Sequence, residues 1–463
     1  MQSRRGPDPD VVVLGGGVSG LTAAVDLASR GISVLLLEQK QHCGGRTYSF
    51  VEKQTGDDVD NGQHLMMGCY HSTLKFLSTI GTVSQLAIQQ NLSVTFRHAQ
   101  RGVFRLEAAR LPAPFNVLAG LLRLKSLTVR ERLSLLRVGA AIAVAHPDTD
   151  ESLQALTVTE WLERLHQPAA NREYLWNIIA IGTLNDSPDV VSAALFAKVL
   201  QSAFLGTRTD SSMVIPRKGL SEVFVAGAVR FLNGHNSEVR LTSSIARLSL
   251  RGDMISEIEL TSGEKIVPRV VISAVPYFDL AGAVGEEAAG LLPETTVADR
   301  FVASAIVTIH LWFDRRFMEE EFVAFLDSPI HWAFNKSKIF GKGGEGEYLS
   351  LVISGAAEFV DREKEEMTSL AMSELKRFYP ESAHAVLLHS LVIKEKRATF
   401  SPRPGTQRFR PAHTTAIRNF FLCGDWTDTK LPATIEGAVQ SGYACSSLAM
   451  KHLRYNESEP SGR

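Results

Sequence analysis

The sequence predicts an α/β chain, α+β overall, in which a parallel nucleotide-binding sheet draws strands from both ends and a second region of sheet and helix is inserted between them. Three observations carry this prediction. Four apolar residues, Val11 to Leu14, run directly into a frame of Gly15, Gly17 and Gly20. A nearly uninterrupted helical pattern occupies about residues 112–205, too long to belong to a nucleotide sheet. A second apolar strand delivers Gly424-Asp425 close to the end of the chain.

The run Val11 to Leu14 reads as a strand buried on both faces, because it is continuously apolar and bounded by glycine. In the G-x-G-x-x-G frame that follows, Gly15 permits the tight turn and Gly17 lets a pyrophosphate approach the backbone. Gly20 lets the helix carrying Leu21, Ala24, Val25 and Ala28 pack closely on the sheet. The N-terminus of that helix offers free N–H groups and a positive dipole end to phosphate, giving a Rossmann-type arrangement. Gly31 stops the helix, residues 32–37 form the second strand, and Glu38 at its end is placed to accept from ribose hydroxyls. An acid there disfavours a 2′-phosphate, which leaves FAD or NAD. With Gly44-Gly45-Arg46 added, the sequence resembles the flavin amine oxidase and phytoene desaturase superfamily. The resemblance implies FAD, with Gly44, Gly45 and Arg46 along its pyrophosphate, where arginine's fork of donors suits the anion.

Composition narrows the remaining possibilities. With 44% apolar and 21% charged residues over 463, the chain reads as an ordinary globular protein of two intimately connected domains. A formal net charge of −1 gives no electrostatic case for nucleic acid. Cys43, Cys69, Cys423 and Cys445 show neither C-x-x-C spacing nor the density of a secreted scaffold, so a reducing, cytoplasmic setting without a metal site is expected. The opening MQSRRGPDPD has no apolar core of the kind a secretory signal needs. No run of about 18 uninterrupted apolar residues occurs, so no span of a membrane is expected.

Further along, residues 47–59 read as a strand pair around Gly56, ending in Asp60-Asn61-Gly62-Gln63-His64. A helix follows over about 72–80 with Gly81 as its stop, and residues 91–111 alternate as strands. Within the helical stretch, Thr128 with Glu131 and Thr157 with Glu160 form capping boxes, and Ser187-Pro188-Asp189 is expected to start a further helix with proline at its first position. The chain returns at Pro216-Arg217-Lys218-Gly219-Leu220, runs through a helix over about 221–232, and continues as strands over 239–276. Residues 301–313, 331–336 and 348–354 look like strands, and residues 361–378 like an amphipathic helix. These readings give an FAD-binding domain over 8–90, 210–285 and 412–455. The substrate domain is then 91–209 and 286–411, and residues 456–463 form a flexible tail.

The closing signature is Phe420 to Trp426, then Leu431-Pro432-Ala433-Thr434-Ile435-Glu436-Gly437-Ala438 and Ser441-Gly442. In the superfamily that it resembles, the aspartate matching Asp425 holds the ribityl and pyrophosphate side of FAD, and the helix near Thr434 and Ile435 aims its N-terminus at the flavin pyrimidine edge. A positive dipole end there stabilises negative charge on reduced flavin. Ile245 matches the position whose backbone meets the adenine. The longer match, Asp60 to His64 with Gly68, Tyr70, Thr73 and Leu74 and then Gly424 to Ala438, is similar to the hydroxysqualene dehydroxylase family.

That resemblance implies reductive removal of an allylic hydroxyl from hydroxysqualene to give squalene, in squalene and hopanoid biosynthesis. A phytoene-type isoprenoid desaturase and a flavin amine oxidase are the alternatives; no aromatic cage of the amine oxidase kind is evident. The chemistry needs a proton donor, a hydride from reduced flavin and a dry apolar tunnel. His64 is the first candidate acid, because imidazolium donates near neutral pH. Asp60, Asp428 and Glu436 are alternates, each able equally to cap a turn or helix or to bind flavin. Trp426 offers either a ring face to a cation or a wall of the pocket. Gly62 and Gln63 belong to the flavin-side motif. FAD is expected to be noncovalent, and its electron donor is not identified by any second dinucleotide frame. Residues 111–145 mix Leu and Phe with Arg123, Lys125, Arg130, Arg132 and Arg137, which suits either a lid on the substrate domain or peripheral contact with a membrane.

Overall fold

A computed structural model describes residues 8–458, with side chains described through Tyr455. The central sheet is five-stranded and parallel, in the order Glu238–Arg240, Val34–Leu37, Val11–Leu14, Val270–Ser273 and Phe420–Leu422. Its strands come from positions more than 400 residues apart in the chain, so the nucleotide-binding sheet closes only when the whole polypeptide has returned. The first two strands are continuously buried because helices cover one face and a three-stranded antiparallel layer, Ile245–Arg251, Met254–Leu260 and Lys265–Ile266, covers the other.

The helix Val18–Ala28 lies against the C-terminal helix Ile435–Ser458, and the two meet at Gly442, where a Cβ would come 2.5 Å from the Ser19 carbonyl oxygen. Ser446 adds a buried hydrogen bond to Asp26 at 2.6 Å. This last helix continues through Ser458, so the expected tail loses its first three residues to a helix packed along the sheet; residues 459–463 lie outside the described residues, as do 1–7 of the opening segment.

The second sheet is mixed and seven-stranded, in the order Leu387–Phe400, Ala303–Phe313, Glu347–Ser354, Trp332–Asn335, Phe322–Leu326, Ser93–His98 and Gly102–Glu107. Side chains alternate across it. Val307, Ile309, Leu311, Leu349, Leu351 and Ile353 pack one face against the helix Lys364–Phe378. Ile306, Val352, Phe334, Ala324 and Phe96 turn to the other face, where the helical insertion covers them.

That insertion runs from Phe115–Leu122 to Ala193–Phe204, with both capping boxes formed as the residue pattern predicts. One expectation fails within it. Ser187, Pro188 and Asp189 form a turn in which the Ser187 hydroxyl accepts from the Asp189 N–H, and the next helix starts at Ala193 under a Ser192 cap. Two strands, Phe322–Leu326 and Leu387–Phe400, escape the sequence pattern. The second carries Lys394, Glu395, Lys396 and Arg397 at its centre because it lies at the sheet edge, where charge on a strand is tolerated.

Candidate active site

One cavity of about 1010 Å³ runs between the two sheets. Its nucleotide end is built from the glycine frame upward. Gly15 stands at φ +101° where the strand turns into the helix, and a Cβ on Gly20 would meet the Gly15 carbonyl oxygen at 2.1 Å, so Gly20 holds the turn closed without itself lining the cavity. Gly17 has open space where its Cβ would be, and the helix begins there with no side-chain cap, so its N–H groups face the cavity unmasked. Glu38 lines the same end, with its carboxylate accepting from the N–H groups of Gly16 and Lys40, each at 2.8 Å. Gly44, Gly45, Arg46 and Ile245 line it as well. A dinucleotide fits this cradle: bare helix N–H groups for phosphate, a carboxylate for ribose and a close backbone approach at glycine.

Arg46 ties this end to the far end of the chain. Its guanidinium donates to Asp425 Oδ1 at 2.7 Å and to the Ala398 carbonyl at 2.6 Å. Gly424, Asp425 and Ile435 also line the cavity, and Ile435 opens the last helix. Arg410, absent from the sequence expectations, shapes this loop from behind. Its buried guanidinium donates to the carbonyls of Asp425, Trp426 and Leu431 and to Thr429 Oγ1.

Among the expected catalytic residues, only His64 and Trp426 reach the cavity, together with Gly62 and Gln63. Asp60 is turned away: its carboxylate accepts from Lys336 Nζ at 2.8 Å, Ser49 Oγ at 2.7 Å and the Leu220 N–H at 2.9 Å. Burial works against that carboxylate, and Lys336 and the two hydrogen bonds outweigh it, holding Asp60 below the usual aspartate range. Glu436 is likewise engaged elsewhere. It receives the N–H groups of Ser72 and Thr73 and the Thr73 hydroxyl, capping the helix His71–Thr79. Asp428 pairs with Lys430 at 2.6 Å outside the cavity.

His64 departs from expectation in its protonation. Burial pushes its pKa below the usual histidine value, outweighing the favourable field of Asp60, so the imidazole is neutral at neutral pH. Its Nε2 lies 3.4 Å from the Arg46 carbonyl oxygen, which can only accept, so Nε2–H donates there and Nδ1 remains an acceptor. Trp426 packs at the nucleotide end, donating from Nε1 to the Val275 carbonyl at 3.2 Å within the core that holds Leu422 and Tyr277. It forms a wall there and takes no part in the apolar half of the cavity.

The apolar half is a trough. Its floor is the seven-stranded sheet, where Ile306, Val352, Trp332, Phe334, Phe96 and Leu106 line it. Its roof is the helices Asn177–Leu184 and Ala193–Phe204, through Ile178, Ile179, Leu200 and Phe204. From the strand of Ile306 to the strand of Leu106 there are five inter-strand steps, about 24 Å in all. The acids that line the cavity, Glu38, Asp279, Glu395 and Asp425, all lie at the nucleotide end or on the edge strand. Trp332, Phe334 and Lys336 fall in the strand read over 331–336, and the signal there was the alternation of Trp332 and Phe334 running on to a lysine at position 336.

A sequence profile of flavin containing amine oxidoreductases matches residues 18–450. The hydroxysqualene dehydroxylase of Rhodopseudomonas palustris is 28% identical over 446 residues, covering 95% of this chain and 98% of that one. The 15-cis-phytoene desaturase of Narcissus pseudonarcissus is 25% identical over 460 residues, covering 96% and 80%. Among solved structures, cyclohexylamine oxidase from Brevibacterium oxydans superposes with a TM-score of 0.71 at 17% identity, covering 97% of this chain and all of that one.

Proposed function

This chain belongs to the flavin-containing amine oxidoreductase family and is an FAD-dependent oxidoreductase, and from that premise we propose that it converts hydroxysqualene to squalene by reductive dehydroxylation. The observation that carries the reading is the trough, about 24 Å long, free of titratable side chains over its apolar half and opening onto His64 and the nucleotide cradle. A long acyclic isoprenoid polyene suits it, whereas a small amine would leave most of that apolar surface without a partner. The similarity to hydroxysqualene dehydroxylases over nearly the full length of both chains supports the same reading.

On this proposal Gly15, Gly17, Gly20, Gly44 and Gly45 shape the FAD cradle, Glu38 takes the ribose, and Arg46 with Asp425 brackets the pyrophosphate and ribityl side. Gly62, Gln63 and Ile435 flank the flavin and Ile245 meets the adenine. The reaction breaks an allylic C–O bond, adds a proton to the departing hydroxide and forms a C–H bond, for which the reduced cofactor supplies the hydride. The chain's own residues orient and protect. Neutral His64 accepts from the substrate hydroxyl and so orients it, and on protonation it donates the proton that lets oxygen leave as water. The trough walls exclude the water that would quench a cation.

The companion reading is an isoprenoid desaturase, favoured by the same trough and by the phytoene desaturase relatives. Anaerobic reduction of the flavin with dithionite followed by hydroxysqualene separates them. Squalene in the lipid extract with return of the oxidised flavin spectrum supports dehydroxylation. Surviving alcohol over a flavin that stays reduced, with a polyene desaturated by the oxidised enzyme, overturns it.

The same reading makes the protein a peripheral one at the cytoplasmic side of a membrane. Among the described residues no helix is long and apolar enough to cross a bilayer. The segment 111–145 nevertheless exposes Phe115 at 60%, Leu133 at 54% and Val144 at 74%, beside Arg123, Lys125, Arg130 and Arg137. Apolar side chains rimmed by cations suit an anionic lipid surface, from which a squalene-sized substrate would be drawn.

A further inference from the structure

The seven-stranded sheet aligns six side chains in one row across its strands: Thr308 opposite Val352, Val352 opposite Trp332, Trp332 opposite Ala324, Ala324 opposite Phe96, and Phe96 opposite Phe104. The row begins beside the flavin-side loop, since a Cβ on Gly62 would lie 3.8 Å from Thr308 Oγ1. Phe334 stands two residues beyond Trp332 on the same face, and two residues later Lys336 donates to Gln63 Oε1 at 2.7 Å, next to His64. Trp332 and Phe334 are therefore the aromatic side chains of the trough floor nearest to that loop. Their ring centroids are 6.4 Å apart with planes 26° from parallel, and Phe322, opposite Phe334 on the neighbouring strand, flanks both on the same face at 6.4 and 6.3 Å without lining the cavity.

A positive charge that develops on an allylic carbon in this trough has no carboxylate to meet it. Whether the charge arises by loss of the hydroxyl as water or by removal of hydride, it is spread over carbon, weakly hydrated and matched by the negative face of an aromatic ring. We propose that Trp332 and Phe334 form the cation-stabilising wall of the active site, one of the two roles that the sequence left open for Trp426. This rests on the isoprenoid reading above and names the side chains that serve it. Lys336 leaves the two rings undisturbed as anchors of that charge, because its ammonium is directed to Asp60, to Gln63 and to the ring of Phe340, whose centroid lies 4.0 Å away.

The test compares binding of squalene with that of a squalene analogue carrying a protonated tertiary amine at mid-chain, both to the FAD-loaded protein by calorimetry in detergent. Trp332→Leu and Phe334→Leu are expected to weaken the ammonium analogue roughly 10-fold each relative to squalene. Phe322→Leu, beside the two rings but outside the cavity, leaves that ratio in place. Where a truncation disturbs folding, progressively fluorinated phenylalanine at position 334 keeps the ring's shape while draining its negative face, and the ratio should shift stepwise along the series. Squalene binding with a flat fluorination series overturns the assignment alone. Failure of the unaltered protein to bind squalene overturns the isoprenoid reading and the assignment with it.

Discussion

Lys336 Nζ stands 2.8 Å from Asp60 Oδ2 with both side chains closed to solvent, at 1% and 2% exposure. The pair joins the substrate sheet to the loop that carries Gln63 and His64, across 276 residues of sequence. Removing one partner leaves a buried charge without a counterion, which typically costs about 3–5 kcal/mol. Lys336→Met and Asp60→Asn should each lower stability on that scale in denaturant titrations. The double substitution should recover part of the loss, and additive losses would show that the two side chains act independently.

Two buried histidines give the fold a predictable acid limb. Burial pulls His310 down to about 3 and His331 to about 4 from 6.5. Because both folded values lie below the unfolded one, the unfolded chain takes up protons first, so stability is complete above pH 6.5 and falls as the pH drops toward 4. Each histidine contributes roughly 2 kcal/mol of loss between pH 6.5 and 5. Denaturant unfolding at these two pH values should show a shallower decline for His310→Phe than for the unaltered chain.

FAD retention should depend on contacts that are purely backbone and on one that is ionic. Gly20→Val forces a side chain onto the Gly15 carbonyl, so the protein should purify without flavin. Arg46→Ala removes charge-assisted donors, and an FAD affinity reduced about 10- to 100-fold is expected by flavin fluorescence titration. Unchanged affinity would place the pyrophosphate elsewhere.

The lowered pKa of His64 sets the sign of a rate profile. If its imidazolium delivers the proton, anaerobic single-turnover rates with hydroxysqualene rise as pH falls below 6.5, because only there is the protonated form appreciably populated. His64→Gln should retain FAD and lose that limb. A limb that survives the substitution assigns the proton to another group.

Lipid contact is separable from chemistry. Leu133→Glu with Leu136→Glu places two charges on the exposed face of the helix Val129–Val144 and should abolish cosedimentation with vesicles of anionic phospholipid, with detergent-solubilised turnover retained. Equal sedimentation of both proteins would make the segment a lid.

Much of the cofactor end was legible in the residues because its signals are local. The glycine frame, Glu38 and Gly44-Gly45-Arg46 each act within a few residues of their own strand, and every one except Gly20, which holds the turn, lines the cavity. The roles of the acids stayed open for the converse reason. Asp60 and Glu436 sit in motif stretches, but their partners, Lys336 and the N-terminus of the helix at Ser72, lie 276 and about 364 residues away. A carboxylate's role is decided by which donors surround it, and spacing along the chain carries no record of them.

The sequence by itself determined most of the elements and a dinucleotide cofactor, since strands, turns and caps answer to periodicity, glycine freedom and helix-end chemistry over short spans. It also marked out the helical insertion by its periodicity and its two capping boxes. Only the tertiary structure decided which side chains share the trough, since Phe96, Trp332 and Val352 fall into one row through register between strands drawn from two distant stretches of the chain. It likewise decided protonation: the neutral state of His64 follows from burial, a property of the closed molecule and of no residue taken alone.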